Sequence, residues 1–139
     1  ILLLNNKPIL TDFDNSGIVG ESVSERKLYG VTCKFAHRHA NTIVATEHDI
    51  FSLAIIMWHL LSRKNVFDHE KCITDNDYID VHRSTSPLVF SRVEQEKPLE
   101  SILELVRDMT TIGSIPDISM VIARLTTISK SLSTNHNMP

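Results

Sequence analysis

The chain has 139 residues, of which 42% are hydrophobic and 22% charged, a composition typical of one soluble globular domain rather than a disordered or fibrous protein. Its net charge of -3 gives no indication of nucleic-acid binding, and no apolar run approaches the roughly 20 residues that cross a bilayer. We therefore expect partners that are neither nucleic acid nor membrane. Two widely spaced cysteines, Cys33 and Cys72, favour a reducing, cytoplasmic (intracellular) location over a disulfide framework.

A β-hairpin is predicted at the start of the chain. The apolar runs Ile1–Leu4 and Ile9–Leu10 flank the turn-forming segment Asn5–Pro8. The second strand leads into Asp12. An acidic side chain at the end of a buried strand is well placed to hold a metal or a phosphate-bound cation, whereas the alternative is a solvated Asp in a turn.

Residues 14–46 contain three of the four glycines and have no sustained hydrophobic period, which predicts a long loop. Loops of this length in a compact domain are uncommon unless they are functional. Cys33, His37 and His39 could form a metal cluster with a nearby Asp or Glu. Their spacing matches no common zinc signature, and the pattern favours an ordinary loop that contains histidines.

Residues 47–62 are apolar almost all round, which predicts a helix that is buried on all sides and central to its domain. The negative charges of Glu47 and Asp49 at its start would interact favourably with the positive end of the helix dipole. Trp58 and His59 are expected to pack in the core.

The second half of the chain predicts further helices. Residues 65–98 are polar and mixed, with a short helix expected over 76–83 and a loop over 87–98. Pro98 and Pro116 can each begin a helix, and Gly113 separates the two. The predicted apolar faces are Leu99, Ile102, Leu103, Val106 and Met109 in the first of these helices, and Ile118, Val121, Ile122, Leu125, Ile128 and Leu132 in the second. We expect residues 133–139 to be a flexible tail.

Three segments together resemble eukaryotic protein kinases. The hairpin followed by Asp12-Phe13-Asp14 resembles the strands that end in the Asp-Phe-Gly motif of that family. Residues 49–61, DIFSLAIIMWHLL, resemble the central helix of its C-lobe, and residues 115–125 resemble its last helix. The resemblance implies a mainly α fold over residues 1–132, a partial kinase C-lobe with a short N-terminal β-hairpin, a central buried helix and an activation segment-like loop at 12–41.

Roles for individual residues follow from the same resemblance. Asp12 would bind the Mg²⁺ that bridges the phosphates of ATP, and Phe13 would pack into the core. Asp49 would be the buried acid at the head of the central helix, with Trp58 as a structural residue. Candidate phosphorylation sites in the activation segment-like loop are Ser16, Ser22, Ser24 and Thr32, where a phosphate could pair with nearby basic side chains; the alternative is ordinary loop residues.

Several positions depart from the kinase pattern. Asp14 stands in place of Gly, Ala54 in place of the Gly of the central helix, and His59 in place of its common Glu. No Ala-Pro-Glu motif is present, and Ile115 stands where the partner Arg of that Glu is expected. Replacing both members of a buried ion pair can be nearly neutral in stability, which is consistent with a C-lobe that still folds.

The sequence contains neither a His-Arg-Asp catalytic loop nor a glycine-rich phosphate loop, so no catalytic residue is expected within it. We expect a fragment of a longer chain that transfers the γ-phosphoryl group of ATP to Ser, Thr or Tyr hydroxyls of protein substrates, and we expect the fragment itself to be inactive. A pseudokinase or protein-binding scaffold is the first alternative. An unrelated helical domain is the second.

Overall fold

The computed structural model describes residues 1–14, 16–22, 35, 37, 43–62 and 97–135. Within these ranges the protein is mainly helical, with a small antiparallel hairpin at the start, as expected. None of the described helices is both long enough and apolar enough to cross a membrane. The elements are strands β1 (Leu2–Leu4) and β2 (Lys7–Ile9), followed by helices α1 (Thr46–Ser62), α2 (Lys97–Thr110) and α3 (Ile118–Asn135).

The hairpin turns through two asparagines. Asn5 and Asn6 have φ angles of 51° and 61°, and positive φ at both central residues is the mark of the tight turn that matches strand twist. Asn tolerates this region better than most side chains. In the resulting register Leu3 faces Pro8, which has no N–H to donate and therefore fits where the backbone points away from the partner strand.

Both strands are exposed, in contrast to the buried strand that the sequence predicts. Leu3 in β1 is 73% exposed and Ile9 in β2 is 39% exposed. The apolar composition of the hairpin correctly indicates strands, but the buried core formed by the described residues lies in the helices. Apolar character alone does not bury a strand, because another element has to cover it.

A short backbone pairing joins residues 20–22 to residues 43–44. The N–H of Gly20 donates to the carbonyl of Val44 at 2.8 Å, and the N–H of Val44 donates to the carbonyl of Glu21 at 2.9 Å. Ser22 and Ile43 form an isolated antiparallel bridge. Residues 20–22 and 43–44 are therefore held side by side directly before α1 begins.

Helix α1 is buried along one face. Phe51, Ala54 and Trp58 are at most 1% exposed, whereas Leu60 is 71% exposed and His59 is also exposed. The prediction of a helix buried on all sides is therefore wrong for the C-terminal part of α1, and His59 is not a core residue. An all-apolar sequence cannot show which side of a helix its neighbours leave uncovered.

Helix α2 packs against both α1 and α3. Leu105, Val106 and Met109 are fully buried in the core that α2 shares with α1 and α3. Leu105 lies outside the apolar face that the sequence predicts for this helix, yet it is buried. The predicted central position of α1 is thus taken by α2 among the described helices.

The link between α2 and α3 contains a glycine with a positive φ and a residue that caps α3. Gly113 has a φ of 89°, a conformation that glycine adopts without strain. The carboxylate of Asp117 accepts hydrogen bonds from the N–H of Met120 at 2.9 Å and from the hydroxyl of Ser119 at 2.5 Å, which caps the start of α3. The hydroxyl of Ser119 and the N–H of Met120 lower the pKa of Asp117 below its ordinary value.

Helix α3 presents part of its predicted stripe to the core. Val121 and Ile128 are buried and Leu125 and Leu132 are partly buried against the core, whereas Ile118 and Ile122 are exposed and contradict the prediction. Residues 133–135, expected in the flexible tail, continue the helix. The rest of that tail, the short helix expected over 76–83 and most of the loop expected over 87–98 lie outside the described residues.

Candidate functional site

The Asp12-Phe13-Asp14 segment follows the hairpin in an exposed turn. Asp12 has a φ of 67°, and it is the one described residue other than Gly, Asn5 and Asn6 with a positive φ. The N–H of Ser16 donates to the carbonyl of Phe13 at 2.9 Å. Asp12 therefore sits in a left-handed conformation, immediately before a tight turn, with its carboxylate open to solvent.

Phe13 does not take the core position that the kinase resemblance implies. Its side chain is 64% exposed. Asp14 is not among the residues with positive φ, so the glycine expected at this position is not needed by the backbone that the structure adopts.

The two structural residues predicted in α1, Trp58 and Asp49, differ in their burial. Trp58 is 1% exposed and packs in the core, as expected. Asp49 lies in the first turn of α1 but is exposed, in contrast to the buried acid that the resemblance implies. The described residues supply no segment that covers it.

Two of the four candidate phosphorylation sites lie in the described part of the chain. Ser16 is exposed beside the turn that follows Phe13, and Ser22 is partly buried in the bridge to Ile43. Ser24 and Thr32 lie outside the described residues.

Two described residues of the predicted loop, Phe35 and His37, contact α1. The carbonyl of Phe35 accepts a 2.8 Å hydrogen bond from the hydroxyl of Ser52, and the side chain of Phe35 packs against the core. His37 is 3% exposed, and its ring meets the ring of Phe51 edge to face with centroids 5.3 Å apart. These contacts hold the loop against the N-terminal half of α1.

A cluster of three metal-binding residue types forms where the loop and helix meet. One potential ligand atom from each of His37, Glu47 and His48 lies within 4.8 Å of the other two. The rings of His37 and His48 stack with centroids 4.6 Å apart and planes inclined by 20°. His48 is 9% exposed and His37 is also buried, whereas Glu47 is exposed. The candidate ligands are therefore two buried imidazole nitrogens and one carboxylate oxygen at the surface.

This cluster was missed by sequence reasoning. The sequence places His37 in a possible metal cluster with Cys33 and His39, both of which lie outside the described residues, and it does not point to His48. The sequence signal is limited to the adjacent Glu47 and His48 in the first helical turn, because the third member comes from a loop residue ten positions earlier.

Comparison with known proteins finds no matching family model, no similar curated protein and no similar solved structure.

Proposed function

We propose that the chain is the C-lobe portion of a protein kinase-like domain whose complete parent transfers the γ-phosphoryl group of ATP to protein hydroxyls. The observation that carries the proposal is the burial pattern of the helix motif at residues 49–61. Its apolar positions Ile50, Phe51 and Ile55 and its tryptophan, Trp58, are all buried. The apolar residues of the motif therefore form part of the hydrophobic core.

The small side chain at position 54 supports the same proposal. Ala54 stands where the family pattern has glycine, and it is 0% exposed. A small residue at a fully enclosed position lets neighbouring groups approach the helix closely, and a larger side chain would have to displace them.

The conformation of Asp12 gives independent support. Left-handed backbone at a residue other than glycine is found preferentially at functional sites, where the surroundings hold it in place. Asn5 and Asn6 have this conformation because the hairpin turn requires it, but Asp12 lies three residues beyond the end of β2. An exposed carboxylate at this point is available to a cation.

In the proposed reaction the Asp12 carboxylate would hold Mg²⁺ with ATP, and the ion would offset the charge that develops during transfer. The bond from the γ-phosphorus to the ADP oxygen breaks, and a bond to the substrate hydroxyl oxygen forms. The hydroxyl proton passes to a carboxylate that acts as general base. The parent chain has to supply this group, since the 139 residues contain no His-Arg-Asp loop. The protein substrate and Mg-ATP are thus the proposed partners.

A pseudokinase or protein-binding scaffold is a second candidate function. Phe13 and Asp49 are both exposed and do not adopt the packing roles that a working kinase lobe would give them. A scaffold keeps the core of the lobe and has no need for these two contacts.

The experiment that separates the two is a thermal shift of the complete parent protein with Mg-ATP, combined with a phosphoryl-transfer assay. The kinase proposal predicts stabilisation by Mg-ATP and transfer that Asp12→Asn abolishes, with Asp14→Asn as the matched control that retains both. Stabilisation without transfer would favour the pseudokinase. A parent chain that shows neither response would overturn the kinase proposal.

A further inference from the structure

We propose that His37, Glu47 and His48 form a binding site for a divalent transition metal of the zinc type. The site is separate from the proposed kinase function, which assigns a cation to Asp12 alone. Two imidazole nitrogens and a carboxylate oxygen are ligands that Zn²⁺ favours, and three protein ligands leave a fourth position for water. Ca²⁺ and Mg²⁺ prefer oxygen ligands and are not expected to compete.

The distances require a small closing movement. Zinc–nitrogen bonds of about 2.0–2.1 Å in a tetrahedron place ligand atoms about 3.3–3.4 Å apart. The three candidate atoms lie within 4.8 Å of one another, so they approach by up to about 1.5 Å when an ion binds. Glu47 is exposed on the first turn of α1 and can approach the two histidines by a change of side-chain rotamer.

The ring stack determines how the site closes. The lone pair of an imidazole nitrogen lies in the plane of its ring, so an ion bound to both rings lies where the two planes converge. The rings of His37 and His48 are inclined by only 20°. Metal binding therefore rotates one ring out of the stack, and His37, which comes from the loop, is the ring we expect to turn.

The charge balance of the site supports a cation. The ligating form of histidine is the neutral imidazole. The carboxylates of Glu47 and Asp49 in the first turn of α1 offset the positive end of the helix dipole, which would otherwise oppose a bound cation.

A bound ion would cross-link the long loop to α1. Residue 37 belongs to the loop, and residues 47 and 48 belong to the helix. The ion would add a coordinate bond network to the hydrogen bond between Ser52 and Phe35, and it would stabilise the folded chain over the unfolded chain in which the site is not assembled.

The test is titration of the purified 139-residue chain with Zn²⁺ by calorimetry, with side-chain nitrogen NMR of the histidines. We expect one ion per chain, a rise in the melting temperature and shifts of the His37 and His48 nitrogens. Glu47→Gln removes an exposed ligand without disturbing the core, and we expect it to weaken affinity by about 10–100-fold, the range that supporting partners of metal ligands already reach. His48→Ala is expected to abolish binding.

The matched control is His59→Ala, which removes an exposed histidine from the other end of α1 and leaves affinity unchanged. Cys33→Ser and His39→Ala are expected to leave it unchanged as well. Zinc binding that survives Glu47→Gln at full affinity, that requires Cys33 or His39, or that is undetectable in the wild-type chain would overturn the proposal. Because Glu47 is at the surface, we expect Glu47→Gln to fold. Its zinc affinity therefore tests the proposal even if His48→Ala does not fold.

Discussion

The hydroxyl of Ser52 on α1 donates to the carbonyl of Phe35, seventeen residues earlier, at 2.8 Å and to the carbonyl of His48, one turn earlier, at 2.9 Å. A hydroxyl has one proton, so the two carbonyls share it. The bond to Phe35 joins the long loop to the helix, whereas the bond to His48 stays within the helix. Ser52 is thus both a helical residue and a tether for the loop.

Replacing Ser52 by Ala is expected to lower the free energy of unfolding by about 1 kcal/mol, because a partly buried carbonyl loses its donor. Denaturant titration followed by circular dichroism measures the loss. Ser101→Ala, an exposed position on α2, is the control and should show no decrease. Equal stability of the Ser52→Ala variant and the wild type would contradict the tether.

Trp58 and Leu60 provide a matched pair on one helix, 1% and 71% exposed respectively. Trp58→Ala removes a large buried side chain, and we expect a loss of about 3–5 kcal/mol in unfolding free energy. Leu60→Ala is expected to change it by no more than about 0.5 kcal/mol. The same denaturant titration compares them, and a comparable loss in both variants would show that the outer face of α1 is covered in solution.

The cap of α3 makes stability depend on pH. Hydrogen bonds from Ser119 and Met120 lower the pKa of Asp117 in the folded protein below the ordinary 3.8. The ionised carboxylate therefore stabilises the fold fully above that value, and this stabilisation is lost as the pH falls below 3.8 towards the folded pKa.

Asp117→Asn tests the cap, because Asn caps helices without a charge. We expect the wild type to lose more stability than this variant between pH 6 and pH 3, measured as the shift in denaturation midpoint. Asp117→Ala should be less stable than both at pH 6. Identical pH profiles for the wild type and Asp117→Asn would show that the Asp117 carboxylate does not supply the effect.

The exposed hairpin is expected to promote self-association. Leu2, Leu3 and Leu4 are 62%, 73% and 60% exposed, and an apolar strand with open edges is a template for pairing with another chain. Leu3→Lys should lower concentration-dependent light scattering, and Lys7→Leu, on the facing strand, should raise it. Scattering that is the same in both variants would exclude the hairpin as the cause.

Local sequence signals predicted the described elements closely. The helix expected over 47–62 is observed as Thr46–Ser62, and the helix expected from Pro98 is observed as Lys97–Thr110. Capping residues, prolines and apolar spacing act within a few positions of the chain, so they can be recognised without knowledge of the fold.

Burial was less predictable because it depends on what covers each surface. Leu60, Ile118 and Phe13 are as apolar as the core residues, yet they are exposed. The His37–Glu47–His48 cluster was missed for the same reason. It exists because a loop residue packs beside the start of a helix, and that contact joins positions whose spacing has no local signature.

The pairing of Gly20 and Glu21 with Val44 also bears on how the chain can change in length. The segment between Ser22 and Phe35 begins and ends at points that are held to the rest of the protein. Doubling the length of a closed loop costs only about 0.6 kcal/mol. Because the sequence predicts a loop between these two points, we expect insertions there, including a tag or a small domain, to leave the helical core folded.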